Sequence, residues 1–285
     1  MREEMRFSEL MEYYLEACSD RKQVTEHLDE LLSSFTGATV MDCSVGTGFI
    51  TLDLIREGHS IICADGSAAM LERFEANAAE LGLDTKPIHL DWADLGGTFP
   101  GVFDLIICRG NSLVYADVWD EDTHDGDTHD EDTHDQDTPA VGAAAVAGHL
   151  RSMYAALKPG GFLYVDIPVP ADPARPQERI HHTPCEVRGR RVSVSETITL
   201  LPGAGLRRWD VRMEIGDEVF SFTRHSHVLD REQLTHALRR AGFTEPVPLE
   251  GNTLRDHYEV LTARKPFPNV MTRFAAPVPA LTESR

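Results

Sequence analysis

The sequence predicts an α/β protein: a doubly wound, mostly parallel sheet with a small antiparallel β cap inserted after its fifth strand. Three observations carry that reading. Between residues 39 and 167, short apolar runs suited to buried parallel strands alternate with stretches of helical spacing. A Gly-rich turn joins the first of those runs to a helix. After residue 190 the rhythm changes to alternating runs separated by Pro202-Gly203 and Gly216-Asp217, the pattern of antiparallel hairpins.

In chain order, residues 8–34 come first. Leu10, Tyr13, Tyr14 and Ala17, then Val24, Leu28, Leu31 and Leu32, fall at helical spacing, and Ser19-Asp20 is placed to break the run and cap a second helix. Such a segment either packs on a sheet or closes over a site as a lid. A first strand, Thr39 to Asp42, leads into the turn Asp42-Cys43-Ser44-Val45-Gly46-Thr47-Gly48. A helical run (Phe49 to Glu57) and a second strand (Ser60 to Asp65) complete a βαβ unit. Glycines at 46 and 48 let the backbone approach a ligand that a Cβ would push away. The helix N-terminus offers unpaired N–H groups. Asp65, at a strand tip, can accept both hydroxyls of a ribose. These features suit an adenosyl group. A dinucleotide fingerprint would place a third glycine at 51, where the chain has Thr51. Asp42, just before the turn, suits a cationic ligand end better than a pyrophosphate. A nucleotide-binding βαβ unit of another kind remains open at this point.

Ala68 to Leu81 reads as the second crossing helix and Lys86 to Leu90 as the third strand, followed by Asp91-Trp92. An acid there can accept an adenine amino group, and an aromatic can stack on the ring, an interaction worth about 1–3 kcal/mol in nucleic-acid sites. Phe103 to Cys108 is the fourth strand. It opens into Arg109-Gly110-Asn111-Ser112-Leu113-Val114-Tyr115, outside the carboxyl end of a strand, where open α/β sheets bind ligands. Then comes a tandem five-residue repeat, Asp-Thr-His-Asp with one variable residue, over residues 121–138. Its period is too short for a solenoid unit and it holds no apolar residue, so 117–138 reads as a disordered acidic loop. Its histidines could hold a divalent ion weakly, but a ligand set needs fixed geometry, so no metal site is assigned. Val146 to Leu157 is a helix stopped by Lys158-Pro159-Gly160-Gly161, and Phe162 to Ile167 is the fifth strand. Pro168 to about Arg179 reads as a loop, and Arg191–Leu201, Leu206–Ile215 and Glu218–Arg224 as the cap. A helix from Asp230 to Ala241 ends at Gly242. Val247–Leu249 and His257–Ala263 supply the last strands. The organisation is then an N-terminal helical lid (1–36), a ligand-binding core (37–170), the cap (171–228), a C-terminal part of the core (229–266) and a flexible tail (267–285).

Charge and cysteine content narrow the function. The 285-residue chain carries 27 Lys and Arg against 47 Asp and Glu, a formal charge of -20, which argues against a nucleic-acid partner. More than half of that excess is local, since residues 117–137 hold 11 acids and no Lys or Arg. No apolar run is long enough to span a membrane, and the charged N-terminus has no signal-peptide core. Five scattered cysteines without a C-x-x-C read as packing thiols in a reducing compartment, so the expected location is cytoplasmic.

Taken together, Asp42 to Gly48, Asp65 with Met70-Leu71, Asp91-Trp92, Gly110-Asn111-Ser112 and Lys158 to Gly161 make the chain from about Tyr14 to Ala263 resemble a class I S-adenosylmethionine (SAM) dependent methyltransferase. Within that superfamily it is similar to the glycine N-methyltransferase group, including bacterial glycine/sarcosine methyltransferases. The resemblance implies a Rossmann-like seven-stranded sheet, SAM as cofactor with S-adenosylhomocysteine as product, and a small-molecule substrate, in a possible homo-oligomer. It implies a cofactor set of Tyr14, Arg21, Asp42, Ser44, Gly46, Gly48, Asp65, Gly66, Ser67, Met70, Asp91, Trp92 and Arg109. In that set Arg21 pairs with the methionyl carboxylate. Asn111 would face the substrate, Tyr115 could orient the nucleophile, and His225 is the candidate base if the acceptor is a hydroxyl, with His181, His182 and His227 as others. One departure stands out. Pro168 occupies the position where glycine-methylating members carry the Arg that binds the substrate carboxylate. Arg175 or Arg179 could substitute; otherwise glycine is disfavoured, and an amine or another small nucleophile is open. A small-molecule O-methyltransferase and a non-catalytic SAM- or metal-binding protein are the competing readings.

Overall fold

Asp20 divides the N-terminal helical run. Its carboxylate accepts the Gln23 backbone N–H at 3.0 Å, the N-cap that ends one helix's influence and starts the next. The computed structural model describes residues 5–116, 138–169, 177–201, 205–249 and 258–268, and in it the run forms α1 (Phe7–Cys18) and α2 (Arg21–Ser33). The acidic repeat over 117–137, Arg175 and the tail from 269 lie outside the described residues.

The core elements follow in order: β1 (Val40–Asp42), α3 (Thr51–Arg56), β2 (Ile61–Asp65), α4 (Ala68–Glu80), β3 (Ile88–His89), α5 (Trp92–Thr98), β4 (Phe103–Cys108), a 3-10 turn over Ser112–Tyr115, α6 (Thr138–Ala156) and β5 (Leu157–Pro168). Ser67 caps α4, accepting the Met70 N–H at 3.2 Å. The sequence reading passed over α5, and Gly96-Gly97 explains why: glycines remove both helix propensity and apolar signal. Gly96 is there for packing. A Cβ on it would stand 2.7 Å from the Ser152 carbonyl oxygen of α6, and its N–H donates to Ser152 Oγ at 2.8 Å.

The cap follows as β6 (Gln177–His181), β7 (Cys185–Val187), β8 (Arg190–Leu201), β9 (Leu206–Ile215) and β10 (Glu218–His227). The expected loop to Arg179 is therefore shorter, because β6 starts at Gln177 and pairs antiparallel with β8. The chain returns to the core through α7 (Arg231–Ala241), β11 (Thr244–Pro248) and β12 (Tyr258–Arg264). Asp230 and Gln233 form a capping box on α7, and Gly242 ends it at φ 105°, a left-handed conformation that glycine adopts freely.

The main sheet has seven strands in the order β11-β12-β5-β4-β1-β2-β3. The pairs among β1 to β5 are parallel, while β12 runs antiparallel to β5 and β11 to β12. The chain leaves β1 in opposite directions toward β2 and β4, so the switch point lies at β1 and β4, where such sheets open a crevice for ligands. The cap is a separate five-stranded sheet, β10-β9-β8-β6 with β7 also on β8. Its inner face buries Val192, Val194, Val211, Met213, Ile215 and Phe222 against Leu10 of α1. By contrast, α2 buries Leu28 and Leu32 against the main sheet's own cluster. The N-terminal helices thus serve two layers, one each. Among the described residues no helix is long and apolar enough to cross a membrane.

Candidate active site

At the tips of β1 and β2, backbone geometry does most of the shaping. Gly46 has φ 54°, and nothing lies within 4 Å of where its Cβ would stand, so the space before the turn is open. Asp65 is fixed at the end of β2 by two backbone donors: Gly46 N–H reaches Oδ2 at 2.8 Å and Ser67 N–H reaches Oδ1 at 2.9 Å. Beside it, Asp91 is exposed at the start of α5, and no hydrogen bond or ion pair engages its carboxylate among the described residues. Gly66 keeps that neighbourhood clear, since a Cβ there would stand 3.0 Å from Asp91 Oδ1. Trp92 is held by its indole N–H, which donates to the Cys43 carbonyl at 2.6 Å, and by an edge contact with His149. Met70 is buried in the first turn of α4.

Asp42 behaves differently from the expectation of an acid standing ready for a cationic ligand end. It is buried, and its oxygens are engaged within the turn: Oδ2 accepts Thr51 Oγ1–H at 2.6 Å and Oδ1 accepts Ser44 N–H at 3.1 Å. Arg109 completes the arrangement, with Nε 3.4 Å from Asp42 Oδ2 and its guanidinium on Thr51 Oγ1 at 3.0 Å and on the Phe49 carbonyl. The Ser44 hydroxyl exchanges hydrogen bonds with the Arg109 backbone, accepting at 2.9 Å and donating at 3.1 Å. Asp42, Ser44 and Arg109 therefore tie the turn after β1 to the loop after β4.

That second loop is clamped by a residue the sequence reading left without a role. Asp166 of β5 is buried and accepts the Gly110 N–H at 2.9 Å and the Asn111 N–H at 2.8 Å. Burial pushes its carboxyl up to about 6, with Asp42 adding to the rise, while the two N–H donors and Arg109 pull the other way. Asn111 is held at φ 62°, and its side-chain Oδ1 is buried with no hydrogen-bond partner among the described residues. A buried amide oxygen left unpaired costs roughly 1–3 kcal/mol, so a donor arriving at this point is favoured.

The cap adds a third wall. Cross-strand pairing puts Glu196 opposite Val211, Trp209 opposite Arg224 and Arg207 opposite Ser226, on the same inner face as the apolar cluster. Glu196 is buried and accepts hydrogen bonds from Trp209 Nε1 at 2.6 Å and Tyr14 Oη at 3.1 Å, and it contacts His182 Nε2. Burial works to raise this carboxyl, but His182, Trp209 and Tyr14 together hold it below its ordinary value. Cys18, His182 and Glu196 bring three potential metal-ligating atoms within 4.8 Å of one another, a convergence that no sequence spacing signalled. As it stands it is a hydrogen-bonded carboxylate, and burial and Glu196 push the Cys18 thiol up, away from thiolate. Tyr115 meets the cap through a hydrogen bond with Arg207; burial raises its phenol although Arg207 and Arg224 oppose the rise.

Four further expected residues have settings of their own, and one of them, Arg21, lines a cleft with Thr47 and Gly48 of the Gly-rich turn. Arg21 is engaged by Asp53, with Nε and a terminal nitrogen each 2.7 Å from Oδ2, and its guanidinium lies 5.2 Å from the Phe49 ring centroid. Tyr14 belongs to the cap's cluster through Glu196 and an edge contact with Trp209. His225 alternates with Arg224 and Ser226 along β10, so it lies on the opposite face of the cap, across from Arg208. His227 is buried, with Nε2 2.9 Å from the Ala116 carbonyl, where it pins the cap to the loop after β4.

Residues 40–125 match a family described as "Methyltransferase domain". In sequence the chain is similar to a glycine/sarcosine N-methyltransferase of Halorhodospira halochloris, 38% identical over 80 residues, or 28% of this chain and 30% of that protein. The chain thus spans less than a third of the length of that curated relative. In structure it is similar to a SAM-bound amino pentose methyltransferase from Micromonospora echinaspora, with TM-score 0.65 and 18% identity over 93% of this chain and 100% of the other. It is also similar to a sugar N-methyltransferase from Streptoalloteichus, with TM-score 0.64 and 20% identity over 93% and 96%. Residues 40–125 match the methyltransferase domain family, and the described chain shares its fold with the SAM-bound methyltransferase it resembles in structure.

Proposed function

We propose that this chain is a SAM-dependent methyltransferase that methylates an amine nitrogen of a small molecule. The residues present fit the cofactor. Gly46 leaves open space before the turn, Asp65 is oriented by two backbone amides to accept ribose hydroxyls, and Asp91 offers an unengaged carboxylate for the adenine amino group. Bound SAM supplies a methyl already activated on a sulfonium. The chain's own task is to position the nucleophile and exclude water, and such positioning can contribute roughly 7–11 kcal/mol.

The observation that carries the nitrogen reading is Asn111. Its Oδ1, buried and without a hydrogen-bond partner among the described residues, sits on a turn clamped by Asp166. An amine N–H donating to that oxygen satisfies it and aims the nitrogen lone pair outward. A neutral amine needs no strong base. A hydroxyl acceptor does, and the candidates are poorly placed: His227 contacts a backbone carbonyl, His225 lies on the far face of the cap, His182 is committed to Glu196, and the Tyr115 phenol is raised. The names of the sequence relative, a glycine/sarcosine N-methyltransferase, and of one structural neighbour, a sugar N-methyltransferase, support the same choice.

The test is methyl transfer from SAM labelled in its methyl group to a panel of amino acids, amino sugars, simple amines and phenols. Product NMR should place the label on nitrogen. Label on oxygen alone would overturn the amine reading, and a protein that does not bind SAM would overturn the methyltransferase reading itself.

A further inference from the structure

We infer that the acceptor carries a carboxylate and that Arg207, on the inner face of the cap, is the residue that holds it. The inference rests on the methyltransferase reading above and adds the substrate class and the residue that selects it.

Arg207 is half-buried at the polar end of the cap's inner face. Its Nε donates to Ser226 Oγ at 2.9 Å, and its guanidinium hydrogen-bonds Tyr115. Among the described residues it has no carboxylate within 4.0 Å. Other cap arginines are neutralised: Arg188 by Glu12 and Glu16, Arg190 by Glu218, Arg208 by Asp210 and Arg212 by Glu214. The acid nearest in kind, Glu196, already serves Trp209, Tyr14 and His182. Arg224 adds a second guanidinium on the same face, buried over the Phe7 ring, and its charge also acts on Tyr115. Two guanidiniums thus act on the Tyr115 hydroxyl against the single carboxylate of Glu196.

A guanidinium drawn partly out of water without an anion is costly, and its unused N–H groups form a planar fork matched to a carboxylate. Tyr115 links this fork to the 3-10 turn that follows Asn111, so the proposed carboxylate site and the Asn111 oxygen belong to the same wall of the site. The arrangement also answers the departure at Pro168. Arg179 cannot make the same contact from β6, because it is exposed and pairs with Thr197, on the face opposite to Glu196. The cation comes from β9 instead.

The experiment measures methyl transfer and calorimetric binding for glycine, sarcosine and longer amino acids, set against their carboxylate-free amines and against amino sugars. Wild type, Arg207→Gln, Arg207→Lys and a control on the outer face of the same strand, Arg212→Gln, are compared. The expected result is a preference for carboxylate acceptors, a KM raised roughly 10–100-fold in Arg207→Gln with SAM affinity within about 3-fold of wild type, and partial recovery in Arg207→Lys. Unchanged KM in Arg207→Gln would overturn the assignment, as would turnover confined to carboxylate-free amines or amino sugars. Binding of propionate to the protein without SAM separates the two readings. If SAM does not bind while propionate binds wild type and not Arg207→Gln, the methyltransferase reading fails and the anion site stands; if propionate does not bind wild type, the anion site fails.

Discussion

The two ends of this site are built in opposite ways. At the end proposed to hold the cofactor, most of the work is done by short contiguous segments, and the shaping groups are backbone: Gly46 N–H and Ser67 N–H orient Asp65, and Gly66 keeps Asp91 clear. At the acceptor end, the groups come from far apart in the chain. Tyr14, Asn111, Asp166, Glu196, Arg207 and Trp209 meet only because two sheets and α1 are assembled around them. The cofactor end depends on local conformation and the acceptor end on tertiary packing, so the first should tolerate changes in the cap and the second should not.

Asp65→Ala is the strongest way to break that contrast. Losing a carboxylate that accepts charge-assisted bonds should weaken SAM binding roughly 100-fold, since each such bond is worth about 1.5–3 kcal/mol; calorimetry reads it directly. Next comes Asp166, whose carboxyl is raised to about 6 against an ordinary 3.8. The folded state therefore binds this proton more tightly than the unfolded chain. The stabilisation from that proton is fully present below the ordinary value and is lost as pH rises through about 6, a change of about 2 kcal/mol between pH 4 and 7. Denaturant melts across that range should show the slope in wild type and a flatter profile in Asp166→Asn. Asn111→Ala should lower kcat roughly 10-fold while leaving SAM affinity nearly unchanged, because its oxygen serves the acceptor. The smallest effect is expected for His225→Ala, on the far face of the cap: kcat within about 3-fold, measured at saturating SAM.

The same contrast explains what could be read from the sequence. The alternation of strands and helices, the Asp20 break, the Gly242 stop and the acids at 65 and 91 follow from local signals such as periodicity, caps and turn residues, whereas the seven-stranded sheet follows from the family resemblance. The clamp by Asp166 was hidden because an acid at a strand end looks alike whether it faces solvent or two amides. Glu196 and Arg207 carried a fainter signal: each interrupts an otherwise apolar alternation, with Val192 and Val194 before the first and Val211, Met213 and Ile215 after the second. His225 lies one residue of alternation from Arg224 and Ser226, and in a strand one residue is a change of face. Arg21 follows from the family likeness alone, and Asp53, 32 residues on and beyond any spacing rule, holds it at 2.7 Å.

The most direct test of the division between the two ends is SAM binding by calorimetry to wild type, Asp65→Ala and Glu196→Gln. The account predicts binding to wild type, roughly 100-fold weaker binding to Asp65→Ala, and an affinity for Glu196→Gln within about 3-fold of wild type. Loss of SAM binding in a folded Glu196→Gln, with Asp65→Ala unaffected, would contradict it.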